Sequence, residues 1–461
     1  MIQQQQQHHD DVSILTFHSA GFYPVTVSYM SSFYTRFEFA KRLSVFYGQS
    51  AVAGAVGGLL SYMVFKIFPA NPQDSSAWKP WQVLFCIEGI STMIIALTGF
   101  FFLPHDAQSA WFFSAEEREW ASERILLDHA APHSATPHKH DSEDRADDHE
   151  EVAGLLNMSS RASIRTHVSE NPTASSGLSS HDIVSALTSW HIWWLLGCNI
   201  LSAVPVSSFS VFLPLIVRGL TGADPSSASF ANLLSVPPFV VGAIVLFGFA
   251  IYSDKTQARL KPILYALAIL LIGLTGVVML PHGPKGDQGQ QQMYITLRYL
   301  ALCVMVAGSF VASPLTVAWL STNTVSPGKR AIILGINGWG NFAGIIGAQL
   351  FSPRYAPDYV LPFFITLGCV GASFVGFAVF RNLIIASNEA RRQVVAEWTE
   401  EQIEEEQHEG DVEVDRKGTG IGRTIRRGVA GIVAMVMKEG VEYVDDGARR
   451  GDEKMTFTYG L

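Results

Sequence analysis

The chain alternates between long apolar stretches and short charged ones. About nine apolar blocks stand out, at about 15–35, 44–68, 82–103, 190–217, 229–252, 262–281, 295–322, 331–352 and 360–383. Each holds roughly 20 residues, the length an α-helix needs to cross about 30 Å of hydrocarbon. Charges gather between and after the blocks, as they must where only the connections meet water. The pattern predicts an all-α, multi-pass membrane protein.

A polar stretch at 104–189 leaves three blocks before it and six after it. The chain therefore divides into a Gln- and His-rich start (1–14), a three-span part (15–103), a linker (104–189), a six-span part (190–383) and a charged tail (384–461). The linker is acidic and His-rich from Asp128 to Glu151, then Ser-rich to about Ser180. It has too few apolar residues to bury a core, so disorder is expected. His133, His138, His140 and His149 lack cysteine partners and a fixed spacing. A solvated linker is the better reading of them than a metal site. The tail should open with a charged helix at 389–406. A second piece at 423–438 sets Arg426 and Arg427 beside a short apolar run. That run is too short to span and suits an interfacial helix or a weakly folded tail. Gly418, Gly420 and Gly422 follow no strand, so they do not make a phosphate loop.

Basic residues orient the connections. Arg36, Lys41 and Arg42 follow the first block, Lys255, Arg259 and Lys261 the fifth, and Lys329 and Arg330 the seventh. The alternate connections hold fewer: Lys66 and Lys79, Arg218, Lys285, and Arg354. The positive-inside rule puts the first set, the linker and the tail in the cytoplasm. Asn157-Met158-Ser159, a glycosylation pattern, should then stay unmodified. An odd number of spans would leave a Gln-rich start without a signal peptide outside the cell. Such a start is the first hint of sequence missing upstream.

Composition narrows the function classes. Of 461 residues, 48% are hydrophobic and 16% charged, against about 25% charged in soluble domains. Mean hydropathy is +0.22. The net charge of −9 comes mostly from the linker and tail, and no basic face suggests nucleic acid. Cys86, Cys198, Cys303 and Cys369 all lie in apolar segments, where packing suits them better than a disulfide set or a metal site. No acid pair, nucleophile with base, or metal-ligand spacing stands out, which argues against an enzyme and implies no cofactor.

Several polar residues inside apolar blocks are candidates for substrate or proton handling. Glu88 is an acid that needs a cavity, a partner or a proton; it serves either as a proton carrier or as an anchor near the surface. Asn337 and Asn341 are four apart and share one helix face, among Gly335, Gly338, Gly340, Gly344 and Gly347. Their amides suit a carboxylate or hydroxyl substrate, and equally a hydrogen bond to a neighbouring helix. Asn199, Ser202, Ser207 and Ser208 form a polar stripe broken by Pro205, a feature of cavity-lining helices and of plain packing alike. Tyr23, Gln49, Trp319 and Asn323 complete the set.

Taken together, these segments resemble a known family. Ala20-Gly21-Phe22-Tyr23-Pro24, followed by Ser32-Phe33-Tyr34-Thr35-Arg36, Glu38 and Arg42, resembles the fourth span and following loop of the major facilitator superfamily. The closer resemblance is to its fungal anion:cation symporters, the allantoate, nicotinate and pantothenate permease group. Gly54 to Leu60 is similar to that group's fifth span, and Trp81 to Gly89 to its sixth. Ser253-Asp254-Lys255 with Arg259 resembles the superfamily's repeated loop signature, in which an acid and basic residues clamp helix ends. Trp319, Asn323, Lys329-Arg330, Gly340-Asn341, Gly344 and Pro357-Asp358-Tyr359 resemble spans ten and eleven and the loop after them. The resemblance covers about 19–390.

It implies a major facilitator-type helical bundle working by alternating access. It also implies proton-coupled uptake of a small organic anion at the plasma membrane. The nine blocks correspond to spans four to twelve, so the N-terminal half is expected to be incomplete. Two positions depart from the family pattern: Ser19 stands where an acid is usual, and Val25 where glycine is usual. With the missing spans, these departures suggest a clipped gene model. The rival expectation is a sensor or scaffold acting through the tail.

Overall fold

A computed structural model describes residues 25–26, 29–30, 33–34, 36–68, 78–130, 180–221, 228–256, 258–280, 288–324, 326–351, 353–355, 359–408 and 453–460. Most of the first block, Tyr23, the linker histidines, Asn157 and the 423–438 piece lie outside these residues. So do the side chains of Arg36 and Glu38.

Among the described residues, eight helical spans, three of them interrupted, are long and apolar enough to cross a membrane, one for each block after the first. The first two are α1 (Arg36–Ile67) and α2 (Pro80–Phe102). Two shorter helices lie in the linker, α3 (Ala115–Ala130) and α4 (Ser180–Thr188). The six-span part holds α5 (Trp190–Thr221), α6 (Ala228–Leu234), α7 (Val236–Thr256), α8 (Leu260–Met279), α9 (Gln288–Ser309), α10 (Ala312–Thr322), α11 (Pro327–Asn337), α12 (Phe342–Leu350) and α13 (Val360–Ala396). The last helix is α14 (Glu400–His408).

Three of the apolar blocks are broken helices, and sequence explains each break. Pro314 sits in the first turn of α10, where its missing N–H costs nothing, so the helix restarts after Phe310 and Val311. Pro237 and Pro238 do the same for α7 after Ser235. Between α11 and α12 the chain tightens into a 3₁₀ turn, Gly338–Asn341, at the glycine-rich stretch.

The six-span part packs around α5, which touches α13, α12, α9 and α10, while α8 packs on α9 and α13. Leu195, Phe209, Leu267, Leu270, Met305, Phe363 and Phe377 belong to its core. The α8–α9 crossing is backbone to backbone. A Cβ at Gly273 would run into the backbone of Met305, and one at Gly308 into Ala266 and Leu270. Small residues permit such close approach where lipid offers no hydrophobic drive for association. α1 lies against α7, α10 and α6, and α2 packs on α1 with almost its whole surface outward. The outward side chains are apolar, such as Phe100, Ile272 and Val375, as contact with hydrocarbon requires.

Two segments differ from the sequence reading. Both ends of the linker are helical. Ser114 and Glu117 cap α3 reciprocally, the Ser114 N–H donating to Glu117 Oε2 at 2.8 Å. In α4, Val184 and Ala186 are buried. The charged helix expected at 389–406 is two pieces. α13 runs on from the membrane through Glu389 to Ala396, about 55 Å in all at 1.5 Å per residue. Thr399 and Gln402 then cap α14 as a new helix. No glycine or proline separates the last apolar span from Glu389, so nothing stops α13 there.

Candidate functional site

A cavity of about 290 Å³ lies between α1 and the six-span part. Tyr47 and Ser50 come from α1, and Asn199, Ala203, Val206 and Ser207 from α5. Phe310, Ser313 and Pro314 come from the α9–α10 break, and Asn337, Gly338, Gly340 and Asn341 from the α11–α12 turn. Its size is at the lower end of the range for small-molecule sites, about 300–1,000 Å³. Two of the three helix breaks therefore open onto it.

Asn199 organises the polar wall. Its Nδ2 donates to Asn337 Oδ1 at 3.3 Å, and Ser313 Oγ donates to its Oδ1 at 2.9 Å. Gly340 leaves room for this amide, since a Cβ there would lie 3.0 Å from Asn199 Nδ2. Asn341 is exposed on the cavity side of the turn. Every described lining residue is uncharged. Hydroxyls and amides there can donate to an acceptor or accept from a donor.

Of the residues singled out from sequence, Asn199, Ser207, Asn337 and Asn341 meet at this cavity, while Ser208 is buried and donates to the Val204 carbonyl. Ser202 is buried and spends its hydroxyl on the Asn199 carbonyl. Gln49 is exposed, next in sequence to the lining residue Ser50. Glu88 faces outward on α2. Trp319 and Asn323 sit at the far end of α10 and face the tail segment 453–460. Tyr47, Ser50, Phe310 and Ser313 were missed; a serine or tyrosine in an apolar run carries no signal by itself. Arg298, a buried cation inside α9, was missed too. Its position within an apolar block was a usable signal.

The loop residues sit at helix ends: Asp254 and Arg259 where α7 meets α8, Arg42 near the start of α1, and Lys329 and Arg330 at the start of α11. Arg259 Nη1 donates to Asp254 Oδ1 at 2.7 Å and to Ser253 Oγ at 3.0 Å, tying the end of α7 to the start of α8. Lys255 is exposed. Arg42 is exposed, its guanidinium 5.1 Å from the centre of the Tyr34 ring. Lys329 and Arg330 are buried at the start of α11, where Arg330 donates to the Thr324 carbonyl at 2.9 Å. Ser326 caps α11 and donates to Asp182 Oδ1 at 2.6 Å, which sets an anion from α4 at the positive end of the helix.

The sequence pattern of the Major Facilitator Superfamily matches residues 14–349. The chain belongs to that superfamily. It is 30% identical over 369 residues to the major facilitator-type transporter hxnP of Emericella nidulans, covering 79% of this chain and 62% of that one. It is 29% identical to an uncharacterized transporter of Schizosaccharomyces pombe, over 76% of this chain and 57% of that one. It is 25% identical to the high-affinity nicotinic acid transporter of Saccharomyces cerevisiae, over 78% of this chain and 55% of that one. The chain thus spans roughly 60% of the length of these relatives. As a member of the superfamily it is an integral, multi-pass membrane protein, and the match includes every element that lines the cavity.

Proposed function

We propose that the chain is the core of a secondary active transporter that takes up a small organic anion together with a proton, by alternating access. The observation that carries this reading is the amide-lined cavity between α1 and the six-span part. An ionised carboxylate only accepts hydrogen bonds. The amides of Asn337 and Asn341 supply donors of the right kind, while the Ser50 hydroxyl donates to the Tyr47 carbonyl at 2.7 Å. Asn199, held by Ser313 and Asn337, fixes the geometry of the wall. The uncharged lining also supports coupling to a proton. A bare anion would be poorly compensated there, and one that enters with a proton is neutral overall.

The superfamily relatives include a protein named for nicotinic acid transport, so nicotinate is the first substrate to try. The clamp between Asp254 and Arg259 would hold α7 and α8 as one body while the cavity changes its access. Purified chain in vesicles should accumulate labelled nicotinate, or another small carboxylate from a panel, faster when the donor side is acidic. Asn341→Leu should remove most of that uptake. If no carboxylate enters faster than into empty vesicles at any pH, the transport reading falls and the sensor or scaffold reading takes its place.

A further inference from the structure

Residues 453–460 lie across the basic end of the six-span part: 453–456 form a turn, closed by the Phe457 N–H donating to the Lys454 carbonyl at 3.1 Å, and 457–460 run on without helix. Phe457 and Tyr459 point inward and are buried, with Thr458 half-buried between them, the two-residue alternation of extended chain over 457–459. Tyr459 stacks near Trp319, centroids 6.1 Å apart, and lies 4.9 Å from the His191 ring. The Arg391 guanidinium lies over its face at 4.9 Å.

The backbone of this run is read by side chains. Asn388 Nδ2 donates to the Tyr459 carbonyl at 2.8 Å, and the Tyr459 N–H donates back to Asn388 Oδ1 at 3.0 Å. One amide thus acts as a rung of a β-ladder. The Gly460 N–H donates to Asn323 Oδ1 at 2.7 Å, and Trp319 Nε1 donates to the Gly460 carbonyl at 2.7 Å. Asn323 Nδ2 is held by the Trp319 carbonyl at 2.9 Å, which turns its oxygen toward the run. Arg391 donates to the Phe457 carbonyl at 2.8 Å. At the other end, the Met455 N–H donates to Glu406 Oε1, and Ser185 Oγ to Glu453 Oε1, both at 2.8 Å.

Two aromatic anchors and side-chain readout of consecutive backbone groups are the features of a peptide-binding site. We infer that the ends of α5, α10 and α13 form a site for an extended Phe-X-Tyr-Gly segment, whose occupant, residues 453–460 of the same chain, is an exchangeable strap on α10. The strap matters to the cavity because α10 serves both. Its first turn carries Ser313, bonded to Asn199, and its last carries Trp319 and Asn323. Fixing one end of so short a helix fixes the other, so strap and cavity are linked, and linkage is reciprocal.

The test needs no transported substrate. A labelled synthetic peptide of residues 453–461 is titrated against the chain ending at residue 452. Micromolar binding is expected. A Tyr459→Ala peptide, or Asn388→Leu in the chain, should bind about ten- to hundredfold more weakly, since each removes an anchor or strands a backbone pair. A Thr458→Ala peptide should bind as the parent does. Bound peptide should slow hydrogen exchange across 312–323. No binding, or equal loss with Thr458→Ala and Tyr459→Ala, overturns the inference. In case the shortened chain does not fold, a protease site placed between 409 and 450 lets the full chain be cut after purification. Excess peptide should then displace the severed segment; a segment that survives such washing is a permanent part of the fold, and the inference fails.

Discussion

Asn199 and Asn337 lie 138 residues apart in sequence and share a buried hydrogen bond of 3.3 Å between α5 and α11. Because Ser313 also donates to Asn199, the bond belongs to a three-helix network at the cavity wall. Changes to its members should not add. Asn199→Ala and Asn337→Ala should each lower thermal stability slightly, and a double-mutant cycle should return a coupling of about 0.6 kcal/mol, the size found between membrane helices. Additive losses would mean that the two amides act separately. Uptake should fall in both single variants by about tenfold, the cost of one misplaced hydrogen bond of about 1.4 kcal/mol.

Arg259 is buried and serves Asp254 and Ser253 through one nitrogen. Arg259→Ala should destabilise the protein by about 2 kcal/mol, as expected for a charged hydrogen bond that leaves its acceptor behind. Arg259→Lys should restore part of that, because both bonds come from one nitrogen and a single ammonium can donate to both oxygens. Unfolding midpoints of the two variants, with Asp254→Asn as the milder control, check this.

Glycines in different surroundings should respond oppositely to alanine. At Gly308 the added carbon meets Ala266 and Leu270, so Gly308→Ala should cost about 1–3 kcal/mol through overpacking. At Gly371, within α13, nothing lies within 4 Å of the added carbon. Gly371→Ala should therefore be neutral or raise stability by up to about 1 kcal/mol through helix propensity. Thermal unfolding of both variants in one detergent decides the matter.

Topology has its own test at Asn157, in the part of the linker outside the described residues. If that linker is cytoplasmic, endoglycosidase should leave the electrophoretic mobility of the chain unchanged, and Asn157→Gln should do the same. A shift that disappears in Asn157→Gln would reverse the orientation drawn from the basic connections.

The sequence by itself determined the framework. Each apolar block after the first reappears as a helical span of membrane length, because the length and apolar content that hydrocarbon demands are local properties. The pairing of Asp254 with Arg259 was equally within reach, since five residues separate them. Packing decided what those properties leave open. Trp319 and Asn323 stand on a helix that also lines the cavity, yet their turn of α10 faces the tail, because the rotation of a helix is set by its neighbours. Asn199, Ser313 and Asn337 became one network only when α5, α10 and α11 met, and no spacing along the chain records that meeting. The strap at 453–460 was hidden for the same reason. Its partners Asn323 and Asn388 lie 137 and 71 residues from the groups they bind, and a short run of alternating aromatics has no meaning until a cleft exists to read it.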